Sequence, residues 1–318
     1  MKAVQISQFG SVDVLSVVEL EIPKPKENEL LIKVKAAGIN PVDCKIRRGL
    51  HHSAKKFKDK FPIGLGFEMS GQVVTAGSIS KEFIPGERVC GFVGHRDNPR
   101  CYAEYVVTID EKLIQVPEGI SDEEAAALPL AGLTALQALR LAKIGAGDRV
   151  LIHAGAGGVG HLAIQLVKLM GAYVITTASP ANHAFLFELG ADECIDYHQQ
   201  DFVKVVKQVD KVIDLVGSEV GLRSLEVVAL HGKLITVPSA TAEQIIKVAE
   251  SKKIDAQGIS MDSNKKDLTY LMGLMAQKKL KVFVSRTFPI DEVKAAQQLI
   301  ESGKTKGKIA LVFKWYNF

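Results

Sequence analysis

Apolar and polar positions divide this chain into two textures. From Leu30 to Ala36 (LLIKVKA) they alternate, as they do along a half-buried strand. Gly and Pro then punctuate the sequence at Gly38, Pro41, Gly49, Pro62, Gly64, Gly66, Gly71, Gly77, Pro85 and Gly86, a spacing that suits short strands between turns. Gly71–Ala76 and Arg88–Val93 are two such strands, set apart by the Pro85-Gly86 turn. Residues 1–121 therefore predict a β-rich, barrel-like domain.

The texture changes at Ser121. Ser121 followed by Glu124 is a capping box that opens a helix running into Ala125–Leu128. Beyond it, VLIHA (Val150–Ala154) predicts a strand, Val159–Met170 a helix, AYVITTA (Ala172–Ala178) a strand and Ala181–Leu189 a helix. Cys194–Asp196, KVIDLVG (Lys211–Gly217) and KLITVP (Lys233–Pro238) are further short apolar strands. Continuous apolar strands interleaved with helices predict an α/β, doubly wound parallel sheet covered on both faces. The C-terminal part is mixed, with helices at Asp267–Lys279 and Asp291–Ser302 and a closing strand KIALVF. The expected division is a β-rich catalytic domain over 1–121, a Rossmann domain over 122–268, and a return to the first domain over 269–318.

Composition narrows the classes of function. With 47% hydrophobic and 24% charged residues, the 318-residue chain is that of a globular protein rather than a disordered one. Forty Lys plus Arg against thirty-six Asp plus Glu leave a net charge of +4, which argues against a nucleic-acid binder. No apolar run reaches the length of a membrane span, and MKAVQISQFG lacks the apolar core of a signal peptide. Four cysteines (Cys44, Cys90, Cys101, Cys194) form no CxxC pair, so a reduced, cytoplasmic setting is expected. The basic run His51–Lys60 (HHSAKKFKDK) reads either as a solvated loop or as a patch that steers anionic substrates such as acyl-CoA esters.

The strongest chemical signal is Gly155-Ala156-Gly157-Gly158-Val159-Gly160. It follows a predicted strand and opens a predicted helix, the context in which GxGxxG binds a dinucleotide pyrophosphate at the helix N-terminus. Near the end of the second strand, where an acid would bind the ribose 2′-hydroxyl of NAD, the chain reads Thr176-Thr177-Ala178-Ser179-Pro180-Ala181-Asn182-His183. No Asp or Glu is there to repel a 2′-phosphate, which favours NADPH. Ser179 and His183 read either as contacts to that phosphate or as a plain cap and a surface group.

With these motifs in place, the chain resembles the zinc-free quinone oxidoreductases of the medium-chain dehydrogenase/reductase superfamily. The matching segments are AAGINPVDCKIRRG (Ala36–Gly49), GLGFEMSGQVVTAG (Gly64–Gly77), PGERV (Pro85–Val89), YAEYV (Tyr102–Val106), LPLAGLTALQAL (Leu128–Leu139), GAGGVGHLAIQLVKLMGA (Gly155–Ala172) and GKTKGKIAL (Gly303–Leu311). They cover essentially the whole chain in order. The resemblance implies a GroES-like catalytic domain, NADPH in the cleft with its pyrophosphate on Gly157–Gly160, and a homodimer. It places Asn40 and Asp43, on an expected loop Asn40–Leu50 that carries the candidate donors, at the nicotinamide pocket, Thr134 at the nicotinamide end and Tyr197 near the adenosine ribose, with ordinary edge packing as the alternative for Tyr197. Val216, Val237 and Pro238 complete the expected cofactor contacts. Where many relatives carry tyrosines, this chain has Lys45 and His51; Lys45 reads either as a cationic donor or as a solvated charge.

The resemblance also bears on metal. The three catalytic-zinc positions of zinc-dependent relatives are held here by Asn40, Phe67 and Leu130, and the four-Cys structural zinc loop is missing. His51, His52 and His95 are scattered and read as surface groups. Reduction of a simple ketone calls for a Lewis acid, whereas a quinone or an α,β-unsaturated carbonyl accepts hydride into a delocalised anion that hydrogen-bond donors can stabilise. The expected activity is metal-free, NADPH-dependent reduction of quinones or enones, with Asn40, Asp43 and Lys45 as candidate catalytic residues. The alternatives are an enoyl-thioester reductase and a non-enzymatic NADPH-binding protein.

Overall fold

The computed structural model describes residues 1–94 and 100–315, and only the backbone of His52 and Ser53; His95 and the side chain of His52 thus lie outside the described residues. The chain forms two compact units, one of residues 1–130, 263–278 and 282–318 and one of residues 131–262 and 279–281. The units divide at 130/131 and 262/263 instead of the expected 121/122 and 268/269. The reason is packing: the helix after Ser121 lies on strands of the first unit, as does the helix beginning at Lys265.

The first unit comprises β1 (Lys2–Ile6), β2 (Leu15–Glu19), β3 (Leu30–Ile39), α1 (Pro41–Arg47), β4 (Ile63–Gly64), β5 (Glu68–Ala76), β6 (Arg88–Phe92), β7 (Tyr105–Thr108), β8 (Leu113–Gln115) and α2 (Asp122–Ala127). The division then falls within α3 (Pro129–Ala142). Two sheets build this β-rich unit, one of order β2-β1-β4 and, with the C-terminal strands, a seven-stranded sheet built on β3. An isolated bridge between Ala3 and Ala103 joins them. α2 is capped as its sequence requires, Ser121 Oγ accepting from Glu124 N–H at 3.2 Å and Glu124 Oε2 from Ser121 N–H at 3.1 Å. Its buried Ala125, Ala126 and Ala127 let it sit close on β3 and β5.

Two segments differ from expectation here. Residues 40–50 are not a loop but begin with helix α1: Pro41 occupies its start, and the Asp43 carboxylate accepts the Asn40 N–H at 2.8 Å. The buried Arg47 fixes that helix by donating to Gln297 Oε1 at 2.6 Å and Gly10 O at 2.8 Å and by pairing with Glu301 at 2.7 Å. The basic run contains a short 3-10 helix, His52–Phe57, which buries Ala54 and Phe57 and leaves Lys55, Lys56, Lys58 and Lys60 exposed.

The second unit alternates β9 (Arg149–Ile152), α4 (Gly160–Leu169), β10 (Tyr173–Ala178), α5 (His183–Glu188), β11 (Glu193–Asp196), α6 (Phe202–Val205), β12 (Val209–Asp214), α7 (Ser218–Ser224), β13 (Val228–Thr236), α8 (Ser239–Ser251) and β14 (Asp255–Gly258). Its sheet has the order β11-β10-β9-β12-β13-β14, every pairing parallel. Leu151, Ile175, Val212 and Leu234 from four strands form one core with Leu225 and Ile245. The edge strand β14 reads DAQG, too polar and too exposed to register as an apolar strand in the sequence.

The chain then returns to the first unit with α9 (Lys265–Ala276), β15 (Val284–Pro289), α10 (Val293–Glu301) and β16 (Lys308–Val312). β16 pairs antiparallel with β3, Ile309 opposite Ile39. Among the described residues no helix is long and apolar enough to cross a membrane.

Candidate active site

In the second unit, five parallel strands lead at their carboxyl ends into residues expected to hold a cofactor. β9 runs into Gly155–Gly160, β10 into Ser179 and His183, β11 into Tyr197, β12 into Val216, and β13 into Val237 and Pro238. β9 and β12 adjoin where the strand order reverses, the place where open α/β sheets bind ligands.

The glycines of the turn have different duties. A Cβ on Gly155 would lie 2.0 Å from Thr176 Oγ1, and one on Gly160 2.4 Å from Ala154 O, so the fold itself requires both. On Gly157 it would come no nearer than 3.3 Å, to Ala154 O, and Gly157, Gly158 and Val159 are only half-buried. The turn is thus closed on the protein side and open where a pyrophosphate would approach. Val159, at the N-cap of α4, makes no side-chain cap bond, and Ala154 takes a left-handed conformation with φ 53°. These residues fit a dinucleotide.

Around that turn, Ser179 Oγ accepts from Asn182 Nδ2 at 3.1 Å, leaving its own hydroxyl proton to donate. The His183 ring is held by Nε2 at 3.2 Å from Ala178 O. Tyr197 is 57% exposed, its ring centred 4.2 Å from that of His198, and Val216 is also exposed. Thr134 is buried on α3. Sequence reasoning missed Asp214, a buried acid at the end of β12: its Oδ1 accepts from Val216 N–H at 3.0 Å and Gly217 N–H at 2.8 Å, and its Oδ2 from Thr236 Oγ1 at 2.8 Å. It pins the loop that presents Val216. His153, next to the glycine turn, is buried between Thr177 and Ser224, and burial lowers its pKa to about 4.

In the first unit, the structure brings Asn40 and Asp43 together and leaves Lys45 exposed on α1, with no hydrogen bond joining it to either among the described residues. Asp43 is fully buried. Its Oδ2 accepts from Asn40 N–H and, at 2.7 Å, from the Tyr102 hydroxyl, while Oδ1 has no hydrogen-bond partner among the described residues. Burial pushes the Asp43 carboxyl up to about 7 against the pull of those two bonds. Burial also raises Tyr102 well above its ordinary value, so the phenol remains the donor. Asn40 turns its amide toward Glu68 and Lys308: Nδ2 donates to Glu68 Oε1 at 2.7 Å, and Oδ1 accepts from the Lys308 ammonium. Glu68, Lys308 and Tyr102 were not among the predicted site residues. The available signal was a charge inside an apolar strand run, in GFEMSG and GKIAL.

Comparison with known proteins places this arrangement. A family model described as an alcohol dehydrogenase GroES-like domain matches residues 26–118, and one described as a zinc-binding dehydrogenase matches residues 189–311. A protein of Arabidopsis thaliana named as a chloroplastic NADPH-dependent alkenal/one oxidoreductase is 33% identical, over 98% of this chain and 79% of its own length. A solved structure of the quinone oxidoreductase from Coxiella burnetii matches with a TM-score of 0.96 at 47% identity, covering 99% of both chains. This chain belongs to the quinone oxidoreductase family of the medium-chain dehydrogenase/reductase superfamily. Within that family, the Escherichia coli quinone oxidoreductase, solved complexed with NADPH, matches with a TM-score of 0.88 at 29% identity, over 98% of this chain and 100% of that one.

Membership makes the chain an oxidoreductase with a GroES-like domain and a parallel-sheet domain. The zinc named in one family description does not fit the residues present. The Phe67 ring stacks on Phe92, centroids 5.9 Å apart, and Leu130 has no ligating side-chain atom, its backbone N–H donating to Glu68 Oε2 at 2.5 Å. Asn40 alone has a side-chain oxygen, and the Lys308 ammonium occupies it. Among the described residues no cluster of three His, Cys, Asp or Glu side chains could hold a metal ion; His51 is half-buried, its backbone N donating to Lys45 O at 3.2 Å.

Proposed function

We propose that this quinone oxidoreductase family member reduces quinones or α,β-unsaturated carbonyls with NADPH and without a metal. The observation that carries the reading is the glycine turn at the reversal of strand order, closed by Gly155 and Gly160 and open at Gly157. NADPH, when bound, supplies the hydride. The backbone of Gly157–Gly160 holds its pyrophosphate at the start of α4. Ser179 donates to the 2′-phosphate, His183 stands beside it, and no acid between Thr176 and His183 repels it. Tyr197 and Val216, both exposed, cover the adenosine side, and Val237 and Pro238, with Thr134, the nicotinamide side.

On the acceptor, the developing anion is spread over a quinone or enone and needs donors rather than a Lewis acid. Asn40 gives one amide N–H to Glu68 and keeps the second for that oxygen. Lys45 supplies an exposed ammonium, and Asp43 holds the Asn40 backbone in place. The names of the relatives favour both acceptor classes: quinones for the bacterial proteins, alkenals and enones for the plant one. A reducing, cytoplasmic setting belongs to the same proposal, supported by four unpaired thiols, three of them buried. So does a homodimer, which sedimentation velocity at several protein concentrations checks.

The test is a panel of quinones, enones and enoyl-CoA esters followed through the absorbance of NADPH. Oxidation with quinones or enones is expected. Turnover of CoA esters alone would shift the reading to an enoyl-thioester reductase, and no turnover at all would overturn it.

A further inference from the structure

Although the zinc positions hold no zinc ligands, a charge ties their segments together. Lys308, 3% exposed at its side chain, directs its ammonium at Ile39 O at 3.2 Å, Glu68 Oε1 at 3.0 Å and Asn40 Oδ1. Glu68 is fully buried and accepts three donors: the ammonium, Asn40 Nδ2 at 2.7 Å and Leu130 N–H at 2.5 Å. Strand pairing makes the meeting possible. Ile309 lies opposite Ile39 and Met69 opposite Ala37, so Lys308, Asn40 and Glu68 stand at adjoining strand ends although up to 268 residues separate them. Gly38 makes the room, since a Cβ there would lie 2.1 Å from Glu68 Oε1.

A buried ammonium with three acceptors and a buried carboxylate with three donors leave no uncompensated charge. Removing either one strands the other. The pair also links Asn40, the residue after Phe67, and Leu130, which are the three segments that hold the metal in zinc-dependent relatives.

We propose that the Lys308 ammonium serves as a built-in cation in place of a metal, a positioning residue that, with Glu68, fixes the Asn40 amide so that its second N–H is the donor presented to the acceptor oxygen. An ammonium on the amide oxygen polarises the amide and strengthens that N–H as a donor. The proposal rests on the reading of Asn40 as that donor.

The test is Lys308→Ala in the full chain, with ethylammonium as a probe of the vacated space and tetramethylammonium as a control of equal charge that cannot donate. The expected result is a lower Tm, kcat for a quinone or enone reduced about ten- to a hundredfold, an unchanged NADPH Kd, and a saturable rise in both Tm and kcat with ethylammonium but not with tetramethylammonium. Wild-type kcat in the folded variant overturns the proposal, as does a rescue of Tm without any rescue of kcat. If Lys308→Ala does not fold, Glu68→Gln, which keeps the shape of the side chain, takes its place: loss of kcat at unchanged NADPH Kd supports the proposal, and full kcat overturns it. A wild-type protein that turns over no acceptor overturns the functional reading instead, and the ethylammonium effect on Tm then decides the cation site alone.

Discussion

The two units handle polar chemistry in opposite ways. In the second, the proposed pyrophosphate site is built of backbone: a contiguous glycine turn, a helix start and residues that each follow a parallel strand. In the first, the proposed donor Asn40 rests on buried ionisable side chains, Asp43, Glu68 and Lys308, drawn from three separate stretches of chain. Backbone donors bind phosphate at any pH near neutrality, and a Cβ in the wrong place breaks them. Buried charges can be tuned finely, and they make stability depend on pH. The difference teaches where each kind of site is vulnerable.

The largest expected effect is the pH dependence of the first unit. Asp43 has an ordinary pKa of 3.8 and one of about 7 in the fold, so the folded protein holds this proton more tightly than the unfolded chain. Its contribution to stability is therefore greatest below about pH 4, declines as the pH rises to about 7, and levels off above that. Asp43→Asn should remove this slope, and the stability of the variant relative to wild type should rise by on the order of 4 kcal/mol across that window. Tm measured against pH for both proteins checks it; a constant difference would show that Asp43 does not titrate there.

His153 in the second unit has the opposite sign. Burial lowers it from 6.5 to about 4, so its contribution is complete above pH 6.5 and is lost as the pH falls toward 4. His153→Asn should flatten that acid limb by roughly 3 kcal/mol. The same titration reads both, and slopes of like sign would break the comparison.

Next in size is a pair of glycine substitutions that separates fold from function within one turn. Gly155→Ala drives a Cβ to 2.0 Å from Thr176 Oγ1 and should lose about 1–3 kcal/mol of stability along with NADPH binding. Gly157→Ala meets only Ala154 O at 3.3 Å and should keep its Tm within about 1 kcal/mol of wild type while weakening NADPH. Calorimetry and NADPH titration of both variants decide it, and equal losses of stability would mean that Gly157 also serves the fold. The smallest effect is expected for Ser179→Ala, which should narrow the preference for NADPH over NADH about tenfold, the weight of one hydrogen bond to a charged group. Unchanged Kd values for both coenzymes would remove Ser179 from the site.

The same contrast explains what could be read in the sequence. Gly155–Gly160, the strand VLIHA before it and the missing acid near Ser179 are contiguous, and local spacing carries their meaning. Glu68, Lys308 and Asp214 each occur singly in a strand, and they acquire partners only through pairings such as Ile309 with Ile39. No local pattern announces such a meeting. Helix α1 was legible in principle from Asn40-Pro41 and Asp43, but seven residues are too few for a helical period to stand out. β14 was hidden by polarity, since an edge strand need not be apolar on either face.

Quinone- and enone-dependent oxidation of NADPH, followed before and after exhaustive treatment with a metal chelator, tests the central claim most directly. The account predicts turnover with at least one of the two acceptor classes and the same rate on both sides of the treatment. Turnover that vanishes with the chelator and returns on adding zinc, or no turnover with either class, would contradict it.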